Sequence, residues 1–143
     1  MSAERLLVWF LRISAVMFLS AALAVVMPTA WMAAISKWYG IEFPDVPLMQ
    51  YLARAMSAVY ATMGASYWFM SCDVRRYLPL LRFTVPLTAV FTVATIALDL
   101  WIPMPPDWTV GEGVSLVVWT AALWWLVRRV ENWRPCEGGG GGG

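Results

Sequence analysis

Four long apolar stretches, each carrying at most two charges, constrain this chain more than any other feature of it. A helix crosses about 30 Å of hydrocarbon with about 20 residues. Leu6 to Met27 suits that length, with Arg12 as its only charge and Pro28 closing it. The second stretch runs from about Leu48 to Cys72 and carries Arg54. The third runs from about Leu78 to Ile102, with Arg82 near its start and Asp99 near its end. Pro86 lies about two turns inside it, where a kink is expected. The fourth runs from about Val110 to Val127, its apolar part beginning at Gly113. None alternates with period two, so a transmembrane β-barrel is not supported. The first stretch lacks the short basic lead and brief apolar run of a cleavable signal, and its length suits a span. The expected fold is all-α: a membrane-embedded bundle of four transmembrane helices, with a short interfacial helix after the first span. It forms one domain over 1–137, and Gly138 to Gly143 read as a linker or placeholder.

Composition excludes several functions. Hydrophobic residues make up 61% of the 143 and charged residues 13%, against norms of about 45–50% and about 25%. A soluble domain of this size has too little interior for that much apolar surface, so a soluble enzyme and a disordered chain are both excluded. A formal charge of +1 excludes a generic nucleic-acid binder, which needs a basic face for phosphates. The chain has no histidine, the usual acid/base near neutral pH and a frequent metal ligand. No nucleotide loop, nucleophile elbow or catalytic dyad is visible. No catalytic or metal-binding residue is therefore assigned, and no cofactor is expected by side-chain ligation. Ten Trp and nine Met would suit contact with lipid, quinone, carotenoid or a partner helix.

Charges set the expected orientation. Arg75 and Arg76 lie between the second and third stretches, with Arg82 just beyond. Arg128, Arg129 and Arg134 follow the fourth, while the link before it holds Asp107 and Glu112 and no basic residue. The longer first link sets Lys37 against Glu42 and Asp45. Basic residues stay with the cytoplasm, which places both termini and the second link inside. Arg5 beside Glu4 adds little to this assignment. Cys72 and Cys136 both fall on the inner side, where thiols stay reduced. Arg12 is expected to snorkel to the inner headgroups.

Within the first link, Trp31, Met32, Ile35, Trp38 and Tyr39 share one helical stripe. Pro28 suits the start of that helix and Gly40 its end. The expectation is a helix lying at headgroup depth; the alternative is a loop folded over the bundle. Trp31, Trp38, Trp101 and Trp108 are the expected interfacial anchors. Met27-Pro28-Thr29-Ala30-Trp31 and Met104-Pro105-Pro106-Asp107-Trp108 share M-P-x-x-W, which fits either a helix-hairpin duplication or the frequency of Pro and Trp at membrane exits.

Two polar stripes call for partners. Thr84, Thr88, Thr92, Thr95 and Asp99 recur down one face of the third span. Arg54, Ser57, Ala58, Ala61, Gly64 and Ala65 form a small-residue stripe on the second, the kind that lets helix backbones approach closely. The two stripes are expected to face each other or a shared interior. Counted from the outer surface, Arg54 and Asp99 have matching depth, and Glu112 lies at a similar level. The expected polar cluster is Arg54, Asp99, Glu112, Ser57 and Tyr60. It reads either as an ion pair that fixes helix register or as a site for an anionic headgroup or protons.

The run from Tyr51-Leu52-Ala53-Arg54 through Ser57 and Tyr60-Ala61 to Ser71-Cys72-Asp73-Val74-Arg75-Arg76-Tyr77-Leu78-Pro79-Leu80 resembles a group of small bacterial four-span membrane proteins of unassigned function. Asp99, Met104-Pro105, Trp108-Thr109 and Glu112-Gly113 resemble that pattern too, so the resemblance covers roughly Leu6 to Val127. By topology alone the chain is similar to DoxX-like four-helix membrane proteins. The resemblance brings no activity with it. The expected role is a non-catalytic accessory subunit in a bacterial inner membrane, contacting lipids and other transmembrane subunits of a larger, energy-converting complex. The alternative is a small transporter or a lipid- or quinone-binding protein using the Arg54 and Asp99 region.

Overall fold

The computed structural model describes residues 2–40, 44, 46–102 and 106–132. The expectations placed on Glu42, Asp45, Met104, Pro105, Arg134, Cys136 and the glycine tail lie outside these residues. Among them every regular element is helical: α1 (Ala3–Ser20), α2 (Ala22–Val26), α3 (Thr29–Trp38), α4 (Pro47–Cys72), α5 (Leu78–Trp101) and α6 (Pro106–Asn132).

Local chemistry explains most of the boundaries. The first apolar stretch, a single candidate span over Ala3–Val26, turns at Ala21. The Ser20 hydroxyl donates to the Met17 carbonyl at 2.6 Å. Ala21 N–H then bonds back three residues to Phe18, and Ala24 N–H to Ala21, the tighter spacing that ends one helix before the next begins. Met27 is extended at φ −64° and ψ 136°, as the residue before a proline prefers, so α2 stops there. Pro28 then caps α3, and Gly40, at φ 71°, lies just past its end. Pro47 and Pro106 open α4 and α6, at a position where a missing N–H costs nothing. The fourth helix accordingly begins at Pro106 rather than Val110, and it continues to Asn132 rather than stopping at Val127. The helix α5 runs through Pro86 from Leu78 to Trp101.

Among the described residues, three stretches are long and apolar enough to cross a membrane: Ala3–Val26, Leu78–Trp101 and Pro106–Asn132. At 26 residues α4 is long enough, but Gln50, Arg54 and its many Ser, Thr, Gly and Tyr residues lower its mean hydropathy. The expected second span is present as a helix without matching the apolarity of the other three.

The chain divides into two compact units, residues 9–72 and residues 1–8 with 73–143. In the first, the α1–α2 stretch and α4 run antiparallel. Arg12 lies over the Trp68 ring, Phe18 meets Tyr60 and Tyr67, and Met27 meets Arg54. The closest approach is at Gly64. A Cβ there would stand 2.7 Å from the Leu19 nitrogen and 2.9 Å from the Ala15 oxygen. The small-residue stripe of α4 thus closes on α1 at Gly64.

In the second unit α5 and α6 form an antiparallel pair. Arg82 meets Glu131, Thr92 meets Thr120 at 3.2 Å, and Ile96 lies against Gly113. Leu81, Thr88, Thr92, Leu123, Leu126 and Val127 are buried. The threonine stripe is satisfied largely within its own helix. Thr84, Thr88 and Thr92 donate to the carbonyls of Leu80, Thr84 and Thr88 at 2.9, 3.0 and 2.8 Å. Such back-bonding removes the cost of a hydroxyl in an apolar medium.

The link before α5 is a side-chain-stabilised turn, with Asp73 Oδ1 accepting from Arg76 N–H at 3.1 Å. Arg75 Nη2 pairs with Glu4 at 3.1 Å. The N-terminal residues and the α4–α5 link therefore lie together.

Candidate functional site

Arg54 stands in the second turn of α4, half-buried. Its Nη2 donates to the Met27 carbonyl at 3.3 Å. That oxygen belongs to the residue closing α2, and helix ends leave their last carbonyls without intrahelical donors. A cation is favoured there by the helix dipole as well. Among the described residues of its unit, Arg54 is thus partnered by a helix terminus. Its Nε is buried and has no hydrogen-bond partner among the described residues. Tyr60, two turns along, stacks on Phe18 with ring centroids 5.9 Å apart, and Ser57 is half-buried between them in sequence.

Asp99 and Glu112 belong to the other unit. Because Ile96 lies against Gly113, both carboxylates fall at the same end of the antiparallel α5–α6 pair. Glu112 Oε2 accepts from Trp108 Nε1 at 2.8 Å, one helical turn back along α6. Asp99 is half-buried, and its Oδ2 is buried without a hydrogen-bond partner among the described residues.

The four tryptophans expected at the interface are all exposed, Trp38 and Trp101 most of all at 82% and 84%. α3, which carries Trp31 and Trp38, has no buried residue. The Arg12 guanidinium lies 5.8 Å from the centroid of the Trp68 ring. Cys72 is a free, exposed thiol.

The opposite end of the α5–α6 pair holds a feature that was not legible in sequence. An open groove of about 400 Å³ has Val85, Pro86, Trp124 and Val127 as its apolar lining. Arg82, Arg128 and Glu131 supply its charges. Arg82 Nε donates to Glu131 Oε1. Arg128 lies over the Trp124 ring at 4.7 Å, and Arg129 over Trp125 at 4.8 Å, each pair four residues apart on one helix face. A guanidinium over an indole face is attracted by the ring while keeping its donors free. In sequence these arginines read only as markers of orientation, and Glu131 carried no signal. The W-x-x-x-R spacing, repeated in successive residues, was the available clue.

No family model, curated protein or solved structure matches the chain.

Proposed function

We propose that this chain is a four-span protein of a bacterial inner membrane, with both termini cytoplasmic. In this reading it catalyses no reaction and serves as an accessory subunit packed against a larger membrane complex. The observation that carries the reading is the outward face of its helices. α3 is a capped, ordered helix with no buried residue, and it presents Trp31, Ile35 and Trp38 away from the chain. An isolated helix of that length is marginal in water, so its aromatic face needs lipid or a partner to lie against. The long helices expose bulky side chains in the same way, including Trp9 and Met17 on α1, Phe69 on α4, Phe83 and Phe91 on α5, and Val118 on α6. Hydroxyls of Thr62, Ser66, Thr84 and Ser115 bond back to carbonyls of their own helices, which suits a surface facing hydrocarbon.

The reading also takes α4 as a span. Its one charge, Arg54, is held by the Met27 carbonyl, and the hydroxyls of Thr62, Ser66 and Ser71 bond to carbonyls of the same helix, so its cost in lipid is lower than composition suggests. Recognition of a partner then falls to helix surfaces, because the α4–α5 link is a single short turn.

The test is extraction from native membranes in mild detergent, with a photo-crosslinking residue in place of Ile35. Recovery with a large complex at fixed stoichiometry, and crosslinks from position 35 to one of its subunits, is the expected result. Recovery of the chain alone, with crosslinks only to lipid, would overturn the accessory role.

A further inference from the structure

We propose that the groove between α5 and α6 binds the phosphate headgroup of an anionic phospholipid. This inference rests on the membrane-spanning reading of those two helices. It concerns a site separate from Arg54 and Asp99.

The charges of the groove select the ligand class. Arg82 and Arg128 line it against the single carboxylate of Glu131, leaving one positive charge in excess. Guanidinium groups match phosphate oxygens in a planar fork. Arg128 is held over Trp124, so its position is set by a ring and its donors remain available to an incoming oxygen. Basic pockets between membrane helices on the cytoplasmic side are suited to anionic headgroups, and the proposed orientation puts this end of α5 and α6 there.

The apolar lining identifies the source of the phosphate as a lipid. Val85, Pro86, Trp124 and Val127 offer nothing to a free phosphate ion, whereas they suit a glycerol unit and the first carbons of an acyl chain. The same helix continues outward through Phe83 and Leu87, exposed at 64% and 56%, so a chain leaving the groove finds an apolar face. Glu131 sets the threshold for entry. It holds Arg82, and a phosphate must compete with it for that guanidinium.

The experiment uses the full chain in an uncharged detergent, titrated with phosphatidylglycerol or phosphatidylcholine and read by native mass spectrometry. Phosphatidylglycerol should be retained over phosphatidylcholine. Arg128→Gln should weaken that preference about fivefold, the effect of one basic residue on anionic-lipid binding. Glu131→Gln should strengthen it by freeing Arg82. Arg12→Gln, whose guanidinium lies over Trp68 on the other helix pair, should leave it unchanged. Equal retention of the two lipids would overturn the proposal, as would loss of preference in Arg12→Gln equal to that in Arg128→Gln. Displacement of phosphatidylglycerol by millimolar inorganic phosphate would show a free-anion site and overturn the lipid assignment. If Arg128→Gln does not fold, the Glu131→Gln result decides alone, with unchanged or weaker binding counting against the site. Failure of the membrane reading would show separately, as release of the chain from membranes by an alkaline high-salt wash.

Discussion

At the scale of single residues, Gly64 and Arg54 show how little freedom the first helix pair has. The position of Gly64 is set by backbone atoms of α1, at 2.7 and 2.9 Å from where a Cβ would stand, and backbone cannot move aside as a flexible side chain can. Gly64→Ala should therefore lower stability by about 1–3 kcal/mol, as overpacking does in close-packed interiors. Gly111 meets nothing within 4 Å, so Gly111→Ala should be neutral or raise stability by about 0.5–1 kcal/mol through helix propensity. Thermal unfolding of the two purified variants in the same detergent checks the contrast; equal losses would contradict the close approach. Arg54 invites a different comparison. Arg54→Lys keeps a cation at the end of α2, while Arg54→Met leaves the Met27 carbonyl without that donor. A lost hydrogen bond to a charged group costs about 1.5–3 kcal/mol, partly offset here because the unpartnered Nε–H goes too. The melting temperature should fall for Arg54→Met and fall less for Arg54→Lys.

At the scale of elements, the threonine stripe of α5 shows how polar side chains are satisfied without a second helix. Spacing alone revealed that Thr84, Thr88, Thr92, Thr95 and Asp99 share a face. It could not reveal that three of the hydroxyls would bond back along their own helix, because that bond needs no partner element. Thr92 also reaches across, to Thr120 at 3.2 Å. Thr92→Val and Thr120→Val should thus couple. Cross-helix hydrogen bonds between membrane helices average about 0.6 kcal/mol, so the double variant should lose less than the sum of the singles by about that amount. Equilibrium unfolding in mixed micelles measures it, and strict additivity would mean the contact contributes nothing. The short aromatic helix was more legible than the long ones. Pro28, a period-four aromatic stripe and Gly40 are local signals, and local signals decide where a short helix begins and ends.

At the scale of the whole molecule, the arrangement of termini and links can be tested directly. Glu4 pairs with Arg75 and Arg82 with Glu131, so the N-terminal residues lie with the α4–α5 link, and the start of α5 lies with the end of α6. In a background without Cys72 and Cys136, single cysteines at Ser2, Arg76, Trp38 and Asp107 can be labelled in intact cells with an impermeant maleimide. Ser2→Cys and Arg76→Cys should be protected. Trp38→Cys and Asp107→Cys should react. The Trp38 position tests α4, which is not among the three candidate spans, since it shares the side of Asp107 only if α4 crosses the membrane. Protection at Trp38 together with reaction at Ser2 and Asp107 would leave three crossings.

The sequence by itself determined the helical class, the approximate ends of the long apolar helices and the aromatic helix after Pro28. These depend on local properties: hydropathy summed over a window, the fixed backbone angle of proline and the positive φ open to glycine. Tertiary structure decided the partners. Gly64 fits against Ala15 and Leu19, Arg54 takes the Met27 carbonyl, and Arg82 and Arg128 line a groove with Glu131. None of these choices is local. Each small or charged side chain had more than one helix it could face, and only the register of two packed helices, set by side chains along their whole length, selects one.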